Sequence, residues 1–351
     1  MNKVGEFICK NKLTLIILSL IFLVLSVIGY ANTKINYDIL VYLPDTIETM
    51  KGQDILKNDF DMGAFTIISV DNSSQKEIID IEDKSTLTLV IGHSLNGIFK
   101  LNLSESLPHV LIGASTRAGK SRLIKSICLN VMENYTKEQV EIIYCDQKGG
   151  VEARAFKDCE HFIKISKNVN DTIKIFIELE KELDNRLNLF EERNVTNLID
   201  YNKKYKKLPF IFVIVDELYP FLMMKNKKDI YSILADLLSR SASVGIHFLL
   251  SSQKTTSDVI PTFITENVGY RLGLRTSNEQ GSYNVIGDKG CEDIPVDAKG
   301  RGICFVDEKI YFQSFYVDDD TINNICLKHK KQNNIVIESE DFGDEIYQIN
   351  E

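Results

Sequence analysis

The sequence predicts an α/β fold, a mainly parallel sheet flanked by helices, with one transmembrane helix ahead of it. Three observations carry that expectation. Apolar runs such as 109–113 (HVLIG), 210–215 (FIFVIV) and 247–252 (HFLLSS) are short and bounded by turn residues. Amphipathic stretches of helical length lie between them, as at 121–133 and 171–193; that alternation implies strands buried on both faces. Ahead of them, 13–31 (LTLIILSLIFLVLSVIGYA) is 19 residues without a charge. At helical rise this stretch spans about 28 Å, enough for a bilayer core.

Taken in order, the chain divides into four parts: 1–31 with the span, 32–84, 85–320 and 321–351. A buried core helix is an alternative for the span. So is a cleaved signal peptide, since Gly29 and Ala31 are small and suitably spaced. Lys3, Lys10 and Lys12 precede the span and favour an inside N-terminus. A single crossing would then carry the rest of the chain to the other side. Residues 1–71, with INYDILVYLP, ETMKGQ and FDMGAFTIISV, resemble the start of an MMPL-type RND transporter. One helix cannot enclose a transport pathway, so transport by this chain is excluded. The abrupt change of texture near residue 72 is that expected of two fused genes, natural or artefactual.

Residues 72–84 (DNSSQKEIIDIED) read as a polar linker. LTLVIG (87–92) and GIFKLNL (97–103) form an expected hairpin. Strands follow at 109–113, 141–146, 210–217, 247–252 and 269–276. Helices are expected at 121–133, 171–193 and 228–243. GICFVD (302–307) and IYFQSFYV (310–317) close the domain as a second hairpin, and 321–351 reads as an acidic tail.

The net charge of −9 excludes a protein that coats nucleic acid by bulk attraction; DNA would need a local basic surface. Lys225, Lys227 and Lys228 form one basic cluster and 203–207 another, both readable as solvated loops. Seven cysteines are scattered without a CxxC, so a disulfide framework or a cysteine metal site is not expected. The five histidines are dispersed too.

Chemistry concentrates at His109-Val-Leu-Ile-Gly-Ala-Ser-Thr-Arg-Ala-Gly-Lys-Ser121. A strand runs into a small-residue loop, then GKS, then a helix, which is the context of a phosphate-binding loop. Residues Ala114, Ser115, Thr116, Arg117, Ala118, Gly119, Lys120 and Ser121 would wrap the phosphates of ATP. Lys120 would reach the β- and γ-phosphates, and Ser121 would hold Mg2+. The pattern GxxxxGKS/T departs at its first position, where Ala114 stands for glycine and Gly113 falls one residue early. Alanine suits that place where the backbone needs no positive φ. FIFVIVDE puts Asp216 and Glu217 at the end of a buried strand, the edge that faces ligands in a parallel sheet. Asp216 would complete the Mg2+ shell through water, and Glu217 would act as general base on the attacking water. Gln253, ending another strand, is a candidate γ-phosphate sensor.

With these motifs in place, residues 87–317 resemble the motor of the FtsK/SpoIIIE family. The likeness runs through PHVLIGASTRAGKS, EIIYCDQKGGVE with Asp146 and Lys148, RLNLFEERNVTNLIDYNKKY, LPFIFVIVDEL, and SASVGIHFLLSSQKTTSDVIPTFITENVGYRLGLRTS. The resemblance implies a RecA-like P-loop NTPase, acting as a hexameric ring that pulls double-stranded DNA through contacts to backbone phosphates. It implies a motor on the cytoplasmic side of the cell membrane, against the charge bias at the N-terminus. Gly281-Ser282 stand where the family often carries Ser-Arg, so Arg271 or Arg275 is the candidate for a charge acting in trans on a neighbouring subunit. The alternatives are a related ATPase driving protein secretion and a non-catalytic membrane-tethered adaptor.

Overall fold

A computed structural model describes residues 78–103 and 106–331, together with Asn11, Phe22 and Leu23. The chain divides into two units, Met1–Gln75 and Lys76–Glu351, and every element named below belongs to the second. Phe22 and Leu23 are helical and exposed. The rest of the expected span over 13–31, and the transporter-like stretch to residue 71, lie outside the described residues. No described helix is long and apolar enough to cross a membrane.

The strands are β1 (Leu87–Ser94), β2 (Gly97–Leu103), β3 (Val110–Gly113), β4 (Val140–Cys145), β5 (Phe162–Ser166), β6 (Phe210–Val215), β7 (Ile246–Ser252), β8 (Tyr270–Leu274), β9 (Arg301–Phe305) and β10 (Lys309–Ser314). Among the described residues they form one sheet, ordered β2-β1-β10-β9-β8-β3-β7-β6-β4-β5. From β8 through β5 all neighbours are parallel. The remaining pairings, from β8–β9 out to β2, are antiparallel.

The division follows from sequence. β3, β6 and β7 are buried along their whole length, as strands covered on both faces must be, and they are almost uninterrupted in apolar residues. β2 alternates exposed and buried positions, with Ile98 outside and Leu101 and Leu103 inside, which suits an edge strand with one wet face. Both expected hairpins form, β1 with β2 and β9 with β10.

The helices are α1 (Lys120–Asn134), α2 (Val169–Glu192), α3 (Leu198–Lys204), α4 (Tyr219–Leu222), α5 (Lys227–Arg240), α6 (Thr262–Asn267), α7 (Glu279–Ile286) and α8 (Asp319–Lys328). Asn168, Asn197, Asn278 and Asp318 cap four of them by accepting from the backbone N–H three residues on. α2 buries Ile175, Phe176, Leu179, Leu183, Arg186 and Phe190 along one stripe.

Two boundary expectations change. The described part of the linker is pinned: the Ile79 and Ile81 N–H groups donate to Asn130 and Asn134 of α1 at 3.0 and 2.7 Å. The tail expected from residue 321 begins inside α8, which buries Ile322 against the core. The acidic residues that suggest a tail lie at 337–351, beyond this helix. In the fold Asp318 is its cap, and Asp319 and Asp320 occupy its first turn, where the helix dipole favours negative charge.

Candidate functional site

The parallel strands all end at one edge of the sheet, and that edge carries the expected site. β3 is flanked by β7 and β8, so the loop after it starts between the ends of two neighbours. Ala114 N–H donates to the Ser252 carbonyl at 3.1 Å, and Ser115 N–H and Oγ donate to the Arg275 carbonyl at 2.7 and 2.8 Å. Arg117 and Gly119 take positive φ of 68° and 105°, whereas Ala114 does not. Alanine therefore meets the need at the first loop position. Gly113 is required for a different reason, close packing, since a Cβ there would lie 2.1 Å from the Val285 side chain of α7. Gly119 is fixed from outside, since Gly300 N–H donates to the Ala118 carbonyl at 2.8 Å and a Cβ on Gly119 would come within 2.6 Å of Gly300 N.

Lys120 opens α1 and points under the loop. Its ammonium is buried and donates to Asp216 Oδ1 at 3.0 Å, to Ser251 Oγ at 2.9 Å and to the Asp216 carbonyl. Ser251 Oγ donates to that same carbonyl at 2.7 Å. Glu217 is held by the end of β7: Ser252 Oγ donates to its Oε1 at 2.7 Å and Gln253 N–H at 3.1 Å. The Gln253 side chain reaches the phosphate loop, its Oε1 accepting from Thr116 Oγ1 at 3.2 Å. Lys120, Asp216, Glu217 and Gln253 thus meet at one place, with Thr116 from the loop beside them.

Other contributors carry no role that the sequence alone assigns. β4 lies beside β6, so the turn after it overhangs the acids. Asp146 shapes that turn by accepting from the N–H groups of Lys148, Glu152 and Ala153 at 2.9, 2.7 and 3.2 Å. The turn delivers Lys148, whose ammonium lies 3.7 Å from Glu217 Oε2 and 4.0 Å from Asp216 Oδ2. It also delivers Glu152, which accepts from Ser121 Oγ at 2.9 Å and pairs with Lys125 at 2.8 Å. Burial works to raise the Glu152 carboxyl, and the bonds from Lys125 and Ser121 outweigh it and hold it below its ordinary value. Asp146 and Lys148 are visible as a motif; what they serve depends on the β4–β6 pairing, which sequence order hides. The signal for the Ser251-Ser252 pair is two hydroxyls ending an otherwise apolar strand.

Arg271 stands apart from this group. It is half-buried in β8, its guanidinium 5.3 Å from the centre of the Phe305 ring and packed against Gly287 at the end of α7; burial lowers its pKa. Arg275 is the arginine whose backbone meets the loop. Gly281 and Ser282 lie inside α7, where Ser282 Oγ donates to the Asp288 carbonyl at 2.7 Å and accepts from Cys291 N–H.

Comparison with known proteins matches residues 80–281 to the FtsK/SpoIIIE family. The chain belongs to that family. This FtsK/SpoIIIE chain is 29% identical over 263 residues to the DNA translocase FtsK of Streptococcus pneumoniae, covering 70% of this chain and 34% of that protein. It is 28% identical to the DNA translocase FtsK of Lactococcus lactis subsp. lactis over 70% of this chain and 34% of the relative. It therefore spans about a third of the length of these relatives. Among solved structures, the pCW3 conjugation coupling protein TcpA, a monomer form with ATPγS, superposes with a TM-score of 0.61 at 27% identity, over 73% of this chain and 75% of that one. The cytoplasmic domain of the type VII secretion ATPase EccC of Thermomonospora curvata gives a TM-score of 0.63 at 24% identity, over 70% of this chain and 31% of that one; at that distance the likeness is one of fold.

Proposed function

We propose that this FtsK/SpoIIIE chain is an ATP-driven motor that moves double-stranded DNA, anchored to the cell membrane by 13–31 with the motor on the cytoplasmic side. The observation that carries the reading is the convergence of Lys120, Asp216, Glu217 and Gln253 on the edge where the phosphate loop meets α1. The FtsK relatives and the coupling protein, named for DNA translocation and for conjugation, support DNA as the cargo. A non-catalytic adaptor is disfavoured by this full set of hydrolytic groups. The secretion reading rests on fold alone.

The residues fit ATP with Mg2+. Asp216 Oδ2 is a fully buried carboxylate oxygen without a hydrogen-bond partner, the Lys148 ammonium standing 4.0 Å away, and such an atom has room for a cation in direct contact. Ser121 Oγ, at the start of α1, and Asp216 would hold the ion, whose chemistry there would be to offset phosphate charge. Of the loop from Ala114 to Ser121, the N–H groups of Ala114, Ser115 and Ala118 are taken by backbone carbonyls, so those of Thr116, Arg117, Gly119, Lys120 and Ser121 would bind the phosphates, aided by the positive end of α1. Lys120 exchanges its contacts with Asp216 and Ser251 for phosphate oxygens. Glu217, oriented by Ser252 and the Gln253 N–H, accepts the proton of the attacking water. Gln253 links the γ-phosphate side to Thr116. Arg271 acts in trans only if a neighbouring subunit of a hexameric ring draws it away from Phe305.

The test is the ATPase rate with and without duplex DNA. Stimulation by duplex, with turnover reduced at least about 1,000-fold in Lys120→Ala and Glu217→Gln, is expected. Equal rates with and without DNA would remove DNA as cargo while leaving the ATPase standing. Turnover surviving both substitutions would remove the site itself.

A further inference from the structure

The histidines that look dispersed in the sequence do not stay dispersed. Glu160 and His161 sit in the turn before β5, and His329 caps the end of α8. One ligand-capable atom from each of the three falls within 4.8 Å of the others. The two rings meet edge to face, centroids 5.3 Å apart.

Hydrogen bonds fix which atoms remain for a ligand. His161 Nε2 lies 2.8 Å from the Tyr135 carbonyl. A carbonyl only accepts, so Nε2 carries the proton and Nδ1 is a bare lone pair. That Nδ1 is buried without a partner in a fully buried residue. His329 repeats the pattern: Nε2 lies 2.7 Å from Glu133 Oε1, leaving Nδ1 3.7 Å from Glu160 Oε1. With Nε2 of each ring engaged, Nδ1 is the atom each imidazole can offer beside Glu160, and with both Nδ1 atoms unprotonated no donor stands among the three. Acceptors repel unless something positive stands between them. A proton on His329 Nδ1 would answer Glu160 and leave His161 Nδ1 unmet; a divalent ion answers all three.

We propose that Glu160, His161 and His329 form a metal site for zinc or a similar borderline transition-metal ion, separate from the nucleotide edge. Two imidazoles and a carboxylate are the donor set such ions prefer, with a fourth position for water. The surroundings match the outer support of histidine sites, where the non-ligating nitrogen donates to a carbonyl or carboxylate. Here the Tyr135 carbonyl and the Glu133 carboxylate accept from those nitrogens, and Lys328 holds the other oxygen of Glu133. The frame is stiff: Glu160 N–H donates to the His329 carbonyl at 2.9 Å, Lys331 N–H to the Asp158 carbonyl at 2.9 Å, and Cys159 bridges Lys330. Ligands around a tetrahedral ion sit roughly 3.3 Å apart, so atoms now within 4.8 Å of one another close by up to about 1.5 Å on binding. The ion would clamp the end of α8 to the turn before β5 and to the end of α1.

The full chain, stripped with EDTA and kept in excess Mg2+ without nucleotide, is titrated with Zn2+ against a chromophoric chelator. One ion per chain is expected. His161→Gln and His329→Gln keep an amide donor where each Nε2–H stood and delete the ligand nitrogen; each should weaken binding at least about 100-fold. Glu133→Gln should weaken it about tenfold, as a positioning residue. Co2+ should give the intense visible bands of a four-coordinate site. Absence of stoichiometric binding, an octahedral Co2+ spectrum, or an affinity indifferent to both histidine substitutions would each overturn the site. Wild-type spectra decide the matter should a variant fail to fold.

Discussion

The two halves of the sheet do different work. The parallel half, β8 through β5, ends every strand on the same edge, so residues far apart in sequence arrive there together. The antiparallel half sends alternate strands the opposite way and gathers no such group. It supplies a brace instead: Gly300 N–H, just before β9, donates to the Ala118 carbonyl of the phosphate loop, and Ser314 N–H at the end of β10 donates to the Gly300 carbonyl at 2.9 Å. Direction of strands, more than their composition, decides which half holds chemistry.

The difference can be broken by substitution. Asp216→Ala, at the parallel edge, removes the carboxylate beside a lysine that is 4% exposed. A buried ammonium losing its partner costs about 3–5 kcal/mol, and chemical denaturation should show it, along with loss of turnover.

Acid should strike the parallel half next. Burial, with some repulsion from His247, lowers the His109 pKa to about 3; burial lowers that of His247 to about 4. Both pKa values fall on folding, so the unfolded chain takes up protons first as pH drops below about 6.5. Stability present above that pH is lost toward pH 4, at about 1.4 kcal/mol per pH unit for each histidine. Denaturant midpoints at pH 7 and pH 5 check this. His109→Gln with His247→Gln should flatten the slope.

Gly119→Ala tests the brace. A side chain at φ 105° that also meets Gly300 should cost about 1–3 kcal/mol and weaken nucleotide binding, measured by calorimetry. The smallest effect belongs to Arg122→Ala. Its ion pair with Asp319 at 2.7 Å is largely exposed, so the change should stay under about 1 kcal/mol.

Legibility follows the same division. The phosphate loop, the acids after β6 and Gln253 can be read because each follows a short, largely apolar strand. Lys148 and Glu152 cannot be assigned roles that way, because their positions depend on Asp146 folding a turn and on β4 lying beside β6. β5 escapes sequence reading because Lys164 interrupts a strand with only Phe162 and Ser166 fully inside. α3 and α7 are short, and α7 depends on Asn278 as a cap and on Val285 packing against Gly113. The convergence of Glu160, His161 and His329 needs α8 to fold back against α1 and the turn before β5, which no local spacing announces.

The bond between Gly300 and Ala118 has a mechanical corollary. Ser314, which holds Gly300 from the other side, faces Gly92 across the β1–β10 ladder. A phosphate that pulls the loop inward by more than the slack of one hydrogen bond must either snap that tether or tow two hairpins with it, and towing turns a local grip on a nucleotide into displacement at the opposite flank of the sheet.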